Sequence, residues 1–229
     1  MWVIIVAAGV GSRMKTDMPK QFIELCGKPV LMHSIMAFVD AIENLKVAVA
    51  LCPSHIDIWL KLCKKHDFTQ PHKIVEGGST RFHSVKNALT LLPEDGFVAI
   101  HDAVRPLVNR HTIINCFDDA TKHGCAVPVI PAVDSVRQIA GQSNRMLDRS
   151  ELRLVQTPQI FKIDLLKKAY RQEYQTSFTD CASVFESAGN KIHLSTGNID
   201  NIKITTSRDL AVAEALLRMS QASLTDLNS

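Results

Sequence analysis

The feature that most constrains this chain is a run of β-branched residues near its start, followed by a loop of small residues. Val3 to Val6 is continuously apolar and predicts a buried strand. The loop at 7–11 contains only Ala, Gly and Val, and its Ala and Gly residues leave backbone N–H groups accessible. Arg13 and Lys20 then bring two cations close to the same loop. This combination favours a site that binds a polyphosphate.

Apolar strands alternate with helical patterns along most of the chain. We expect strands at 45–51, 73–76, 97–100, 126–130 and 191–195. We expect helices at 29–39, 111–123, 163–170 and 180–188, one after residue 78 and one from residue 207. The capping-box spacing of Ser54 to Asp57 predicts the start of another helix. This rhythm predicts an α/β fold with a largely parallel sheet and helices on both faces, where ligands bind beyond the carboxyl ends of the strands.

The rhythm breaks at about 132–156, where two strand-like segments are joined by Gly141 to Asn144 with no helix between them. Such an antiparallel arm has little core of its own. A second copy of the chain is the simplest surface to cover it. On an isolated arm, Ser135 and Arg149 would simply be solvated. We therefore expect one domain, 1–229, with an arm through which two copies associate.

Composition excludes several classes of function. A length of 229 residues fits a single α/β domain, and a net charge of +3 is too small to indicate nucleic-acid or membrane-surface binding. No apolar run approaches the roughly 18 residues of a membrane span, and we expect no signal peptide, because no basic region comes before the first predicted strand. The six cysteines are widely spaced, which predicts reduced thiols in a cytoplasmic protein and no structural zinc.

Gly9 and Gly11 also match the start of a dinucleotide-binding motif. The third glycine position holds Met14, however, and no acidic residue follows about 20 residues later as ribose binding requires. An NAD(P)-binding oxidoreductase is therefore the less supported alternative. A non-catalytic nucleotide-binding protein is a third possibility.

Three other stretches follow predicted strands and carry polar residues. The segment from Gly77 to Ser84 is either an ordinary strand-to-helix turn or a nucleobase pocket whose glycines let a flat ring approach. Asp102 either caps a turn or holds Mg²⁺, which favours carboxylates together with substrate phosphates. Asp200 repeats this pattern, with Lys203 three residues later. Together these stretches predict a metal site and a third cation that faces phosphate.

These motifs together resemble the family of 2-C-methyl-D-erythritol 4-phosphate cytidylyltransferases, enzymes of the non-mevalonate isoprenoid pathway. The match runs in order along essentially the whole chain. It is carried by Ala7-Ala8-Gly9-Val10-Gly11-Ser12-Arg13-Met14, Pro19-Lys20-Gln21-Phe22, Glu76-Gly77-Gly78, His101-Asp102-Ala103-Val104-Arg105-Pro106, Asp148-Arg149, Gln156-Thr157-Pro158-Gln159 and Asp200-Asn201-Ile202-Lys203.

The resemblance implies a Rossmann-like three-layer sandwich with a mostly parallel sheet, a protruding antiparallel β-arm and a homodimer formed through that arm. It implies transfer of the cytidylyl group of CTP to 2-C-methyl-D-erythritol 4-phosphate, with release of pyrophosphate. The acceptor phosphate would attack the α-phosphorus in line, assisted by Mg²⁺ or another divalent cation. A phosphate dianion needs no protein nucleophile, so such a site is rich in cations.

The family's roles carry over to the matching positions. The catalytic cations would be Arg13, Lys20 and Lys203. The nucleotide-binding residues would be Ala7, Ala8, Gly9, Gly11, Gly77, Gly78, Arg81, Ser84 and Ala103. The acceptor would be positioned by Arg105, Ser135 and Arg149, the last two reaching in from the partner's arm. The metal ligands would be Asp102 and Asp200.

Two departures and one close rival accompany the resemblance. Family members often have Thr where Ser135 stands, and Ser79-Thr80 replaces an acidic pair. Ribitol-5-phosphate cytidylyltransferases share several of these motifs and form the nearest alternative. They tend to have two glycines in place of Ala8-Gly9 and lack the pattern from Leu147 to Ser150. Both details favour the methylerythritol family.

Overall fold

Strands and helices alternate along the chain much as the sequence pattern predicts. A computed structural model describes residues 1–9 and 18–226, with side chains up to residue 220. The strands are β1 (Trp2–Ala7), β2 (Glu24–Leu25), β3 (Lys28–Pro29), β4 (Lys46–Leu51), β5 (Lys73–Glu76), β6 (Phe97–Asp102), β7 (Cys125–Pro131), β8 (Val136–Ala140), β9 (Ser143–Leu147), β10 (Arg153–Val155), β11 (Gln159–Lys162) and β12 (Leu194–Thr196). The helices are α1 (Val30–Val39), α2 (Ile56–Lys65), α3 (Arg81–Leu89), α4 (Arg110–His123), α5 (Ile163–Ala169), α6 (Cys181–Ser187) and α7 (Ser207–Asp226).

The main sheet of the described chain has eight strands in the order β10-β7-β11-β6-β1-β4-β5, with β12 paired to β7. The strands β5, β4, β1 and β6 form a parallel block, and β12 is also parallel to β7. By contrast, β11 lies antiparallel between β6 and β7, and β10 is antiparallel to β7. The fold is α/β with a mixed, mostly parallel sheet, which confirms the predicted class.

Each face of the sheet has its own apolar core. Val3 and Ile5 of β1 are buried with residues of α1, α2 and α4, including Trp59. Ile4, between them in the chain, is buried on the other face with residues of α3, α5 and α6, including Phe185. Because successive side chains of a strand point to opposite faces, a strand covered on both sides must be apolar throughout. This explains the unbroken apolar run at the start of the chain.

The strand β11 is not predicted by the sequence pattern. It has four residues, Gln159–Lys162, and α5 begins directly after it at Ile163. Ile160 lies in the core on one face of the sheet and Phe161 in the core on the other. The segment therefore shows neither the alternation of a half-exposed strand nor a turn that separates it from the helix.

Side chains cap the first turns of two helices, α3 and α4. Thr80 and Asn109 each accept a hydrogen bond from the N–H three residues later, and so cap α3 and α4. The predicted capping box at Ser54 is wrong. Ser54 lies in a 3₁₀ turn, Pro53–His55, and α2 begins at Ile56 without a side-chain cap. None of the described helices combines the length and apolar content needed to cross a bilayer.

An antiparallel ribbon stands where the alternation of strands and helices breaks. Its strands β8 and β9 pair with each other, and within the described residues they form a sheet separate from the main one. Large apolar side chains on and beside the ribbon are exposed; Val133 is 76% exposed and Met146 69%. The ribbon therefore presents apolar surface that the described part of its own chain does not cover.

His101 lies in the centre of the sheet as a buried polar side chain. It is 0% exposed, and its ring packs edge-on against Phe38 with 4.9 Å between centroids. Its Nε2 is 3.0 Å from the carbonyl oxygen of Arg105, which can only accept, so this nitrogen carries the proton. Its Nδ1 is 3.0 Å from Thr157 Oγ1. Burial lowers the pKa of His101 to about 4 from an ordinary value near 6.5, so the ring is neutral at physiological pH.

We expect His101 to make stability depend on pH below neutrality. Between pH 6.5 and about 4 the unfolded chain binds a proton that the folded His101 does not, so the free energy of unfolding falls as the pH drops. The difference amounts to roughly 3 kcal/mol. His101→Gln removes this titration, so urea unfolding at neutral pH and near pH 4 should show a smaller loss in the variant. An equal loss in both proteins would contradict the expectation.

Candidate active site

A cavity of about 450 Å³ lies at the carboxyl ends of β1, β4 and β6. Ala7 ends β1, Asp102 ends β6, and Cys52 directly follows β4. Among the described residues the cavity is lined by Val6, Ala7, Ala8, Gly9, Lys20, Gln21, Cys52, Gly78, Ser79, Thr80, Arg81, Ser84, Asp102, Ala103, Val104 and Lys203. The structure therefore brings together most of the residues that the sequence assigned to the phosphates, the base and the catalytic cations.

Two consecutive glycines, one in the cavity wall and one behind it, stand where there is no room for a larger residue. A Cβ on Gly77 would lie 2.4 Å from the Cβ of Ala8, and one on Gly78 would lie 2.3 Å from the Cβ of His83. The N–H of Gly77 also donates to the carbonyl oxygen of Leu51 at 2.6 Å. Gly77 thus packs behind Ala8, while Gly78 faces the cavity. The close approach of these segments accounts for both glycines.

Ser84 lines the cavity, and its hydroxyl also holds the turn that precedes α3. Its Oγ accepts a hydrogen bond from the N–H of Gly78 at 3.0 Å. The same hydroxyl donates to the carbonyl oxygen of Thr80 at 2.9 Å. A ligand in the cavity would therefore meet a hydroxyl that is already oriented by the backbone of this turn.

Asp102 forms the charged centre of the site. Its Oδ2 is 2.8 Å from the Nζ of Lys203 and 3.8 Å from the Nε of Arg105, and its Oδ1 is 3.3 Å from the Nε of Arg81. Burial by itself raises the pKa of this carboxyl, but the charges of Arg81, Lys203 and Arg105 outweigh that effect and hold the pKa well below its usual range. Asp102 is therefore ionised at any physiological pH.

The turn that carries Lys203 is anchored by a buried amide. Asn201 is 0% exposed, and its Nδ2 donates to the carbonyl oxygen of Thr157 at 2.7 Å. The backbone carbonyl oxygen of Asn201 accepts a hydrogen bond from Arg105 Nη1 at 2.6 Å. The Oγ1 of Thr157 accepts from the N–H of Asp102 at 3.1 Å. Thr157 and Asn201 thus position Asp102 and Lys203 relative to each other, a role that the sequence motifs contain but that we did not assign.

Gln21 is a second positioning residue that sequence reasoning missed. It is buried beside Lys20, and its Nε2 donates to the carbonyl oxygen of Ala7 at 2.8 Å. The next residue, Phe22, stacks on Trp59 with ring centroids 6.1 Å apart. The segment that carries Lys20 is therefore fixed both to the end of β1 and to the core. The only sequence signal was its place within the Pro-Lys-Gln-Phe motif.

Several predicted residues lie elsewhere. Arg105 and Gly77 are behind the cavity wall, in contact with Asp102 and Ala8 respectively. Other predicted site residues, all exposed, are not part of the described lining of the cavity in their own chain: Ser135, Arg149 and Asp200. Arg149 Nη1 instead donates to the carbonyl oxygen of Val133 on the same arm. Gly11 and Arg13 lie outside the described residues.

The described side chains do not form a preassembled metal centre. Within this part of the chain, no group of three or more His, Cys, Asp or Glu residues is arranged to hold an ion. Asp102 is the one carboxylate in the described lining of the cavity. A site of this kind suits Mg²⁺, which takes one or two carboxylates together with substrate phosphates and water.

Known proteins resemble this chain along most of its length. The family model of IspD, 2-C-methyl-D-erythritol 4-phosphate cytidylyltransferase, matches residues 1–219. A relative with this enzyme name from Bacteroides thetaiotaomicron is 46% identical, over 94% of this chain and 98% of its own length. A relative of the same name from Porphyromonas gingivalis is 45% identical, over 94% of this chain and 97% of its own length.

Solved structures show the same fold. The 2-C-methyl-D-erythritol 4-phosphate cytidylyltransferase of Thermus thermophilus is 33% identical, over 94% of this chain and 98% of that one, with a TM-score of 0.74. The bifunctional IspDF of Campylobacter jejuni is 30% identical over 92% of this chain, with a TM-score of 0.78, and this chain spans 53% of that longer one. The chain belongs to the 2-C-methyl-D-erythritol 4-phosphate cytidylyltransferase family of nucleotidyltransferases.

Proposed function

We propose that this chain transfers the cytidylyl group of CTP to 2-C-methyl-D-erythritol 4-phosphate and releases pyrophosphate. The observation that carries the proposal is the grouping of Lys20, Arg81 and Lys203 around one cavity, together with the small residues 7–9 at the end of β1. Such a cavity suits a polyphosphate. Membership of the family supports CTP and the methylerythritol phosphate as the substrates.

The reaction would be an in-line displacement at the α-phosphorus of CTP. An oxygen of the acceptor phosphate forms a bond to this phosphorus, while the bond from the phosphorus to the oxygen that bridges it to the β-phosphate breaks. The electron pair leaves with pyrophosphate. The attacking phosphate is already deprotonated, so the site needs no general base. The buried, neutral His101 is not part of the described lining, in keeping with such a mechanism.

The main barrier is the repulsion between two phosphate anions, which fixed positive groups reduce. Lys20 and Lys203 would stabilise the charge at the reacting phosphorus. Arg105 would position the acceptor while it holds Asp102 and the carbonyl of Asn201. Arg13, two residues after Gly11 in the sequence, is proposed from the sequence alone as a third catalytic cation.

The nucleotide would occupy the two sides of the cavity formed by the N-terminal loop and the turn before α3. The backbone of 7–9, with Gly11, would face the phosphates. Gly78, Ser84 and Arg81 would lie on the cytosine side, with Gly77 packed behind Ala8. Ala103, whose carbonyl oxygen accepts from Ser34 Oγ at 2.8 Å, would lie near the ribose. Ser79 and Thr80 also line this side, in place of the acidic pair common in the family.

A divalent cation such as Mg²⁺ would be held by Asp102 and Asp200 together with the CTP phosphates. Asp102 fits this role because it is ionised, lines the cavity and lies among the phosphate-facing cations. Asp200 lies three residues before Lys203 in the chain. When bound, the cation would supply further positive charge to the phosphates of the nucleotide.

The working form would be a homodimer made through the arm. The exposed apolar side chains of the ribbon give a surface for a second copy to cover. Ser135 and Arg149 do not line the described cavity of their own chain. They would instead position the acceptor in the partner's site, so each site would need residues of both chains.

We also propose that the protein works in the cytoplasm. All six cysteines are free thiols, and free thiols are the usual state of cysteine in a reducing compartment.

The purified chain should convert CTP and 2-C-methyl-D-erythritol 4-phosphate to a cytidine diphosphate conjugate and pyrophosphate in the presence of Mg²⁺. Phosphorus NMR of the reaction mixture would identify both products. Ribitol 5-phosphate in place of the acceptor tests the nearest alternative activity. Product from ribitol 5-phosphate alone, or thermal stabilisation by NAD and not by CTP, would overturn the proposal.

Lys20→Ala should lower turnover by about two orders of magnitude or more, because it removes a preorganised positive charge at the reacting phosphorus. The fold should persist, since the segment is held by Gln21 and Phe22. Lys28→Ala is the matched control, because Lys28 is exposed and is not among the residues that line this cavity. Steady-state kinetics and circular dichroism of both variants provide the measurement. A Lys20→Ala variant with wild-type turnover would remove this residue from the mechanism.

Mixing two inactive variants tests whether Arg149 acts across the dimer. In a dimer of a Lys20→Ala chain with an Arg149→Ala chain, one site carries both defects and the other carries none. Random re-association should therefore restore about a quarter of wild-type activity. No recovery, once mass spectrometry has shown that mixed dimers form, would mean that Arg149 acts within its own chain, and an Arg149→Ala variant that is active before mixing would mean that it does not act at all.

A further inference from the structure

A chain of polar contacts extends from the cavity wall into the core. Arg81 lines the cavity, and its Nε donates to Asp102 Oδ1 at 3.3 Å. Its Nη1 donates to the sulfur of Cys181 at 3.1 Å. The hydroxyl of Tyr170 donates to the same sulfur, also at 3.1 Å. Cys181 and Tyr170 are both buried, so neither can touch a substrate.

The sulfur is held in place by its own surroundings. The N–H groups of Cys181 and Ala182 both donate to the Oε1 of Gln159 at 3.0 Å, which fixes the first turn of α6 against β11. Tyr170 stacks on Phe82, the neighbour of Arg81, with 4.7 Å between ring centroids. The acceptor for the guanidinium is therefore positioned before any ligand binds.

Arg81 has few other groups to orient it. Its Nη2 is buried and has no hydrogen-bond partner among the described residues, although an arginine offers five N–H donors. The position of the guanidinium thus depends on Asp102 at one end and Cys181 at the other. Burial raises the pKa of the Cys181 thiol, so this side chain is neutral. The charge of Arg81 is therefore paired with the carboxylate of Asp102 and not with the sulfur.

We propose that Cys181 and Tyr170 are positioning residues for the cytidylyl transfer, because they orient the Arg81 guanidinium that holds one oxygen of Asp102. The inference rests on the proposed function. With Oδ1 held by Arg81, the other oxygen of Asp102 faces Lys203 at 2.8 Å. Loss of the sulfur would loosen this arrangement without removing any group that contacts substrate.

Kinetics of variants at Cys181 test the proposal. Cys181→Ala should lower kcat by about tenfold, the effect expected for one hydrogen bond to a charged group. The KM for the acceptor should stay within about twofold, and Cys181→Ser should recover most of the loss, because a hydroxyl also accepts from the guanidinium. Cys116→Ala is the matched control, since Cys116 is equally buried but lies in the core on the other face.

A double-mutant cycle separates this role from a loss of stability. Arg81→Lys removes the donor that contacts the sulfur, so Cys181→Ala should cost nothing further in that background. Tyr170→Phe should behave in the same way with a smaller effect. Equal losses in both backgrounds, or an equal loss in Cys116→Ala, would overturn the proposal. A wild-type protein that makes no product would instead overturn the proposed function, and an active Cys181→Ala variant with unchanged kcat would overturn this inference alone.

Discussion

The ion pairs of Asp102 with Lys203, Arg81 and Arg105 are the interaction on which the rest of the site depends. Burying one carboxylate costs on the order of several kcal/mol, and cations brought close together repel one another. The attraction between the carboxylate and the three cations offsets both the cost of burying the carboxylate and the repulsion between the cations. The carboxylate thereby gathers positive groups at one edge of the sheet before any phosphate is bound, which is the preorganisation that a reaction between two anions requires.

The ion pairs need a scaffold, because the charged residues come from distant parts of the chain. Buried polar groups supply it. Thr157 holds the backbone of Asp102, Asn201 holds the turn of Lys203 to Thr157, and Gln21 holds the segment of Lys20 to the end of β1. A buried polar group left unpaired costs about 1–3 kcal/mol. Arrangements of the chain that break one of these hydrogen bonds are therefore disfavoured, which restricts the positions of the charged residues. The two apolar cores stabilise the sheet, whereas these buried polar side chains, one hydroxyl and two amides, set the spacing of the charges.

Much of the fold could be predicted because local patterns determine it. The apolar run of β1, the glycines that close β5 and the helical spacing of α3 each reflect neighbours in sequence. Where pairing between distant segments determines the secondary structure, the local sequence pattern was not enough to predict it. Strand β11 has four residues, and only its position between β6 and β7 makes it a strand. The predicted start of α2 was wrong for a different reason, since Ser54, the expected cap, lies within the 3₁₀ turn Pro53–His55.

By itself the sequence determined the α/β class, the position of the loop of small residues after β1 and the types of residue near it, because these follow from periodicity, residue size and charge. Only the tertiary structure decided which of those residues meet. It placed Lys20, Arg81, Asp102 and Lys203 around one cavity and the exposed Arg149 outside it. It also connected Arg81 to the buried sulfur of Cys181, 100 residues away in sequence. Contacts over such separations depend on how the sheet and helices pack, which no local pattern encodes.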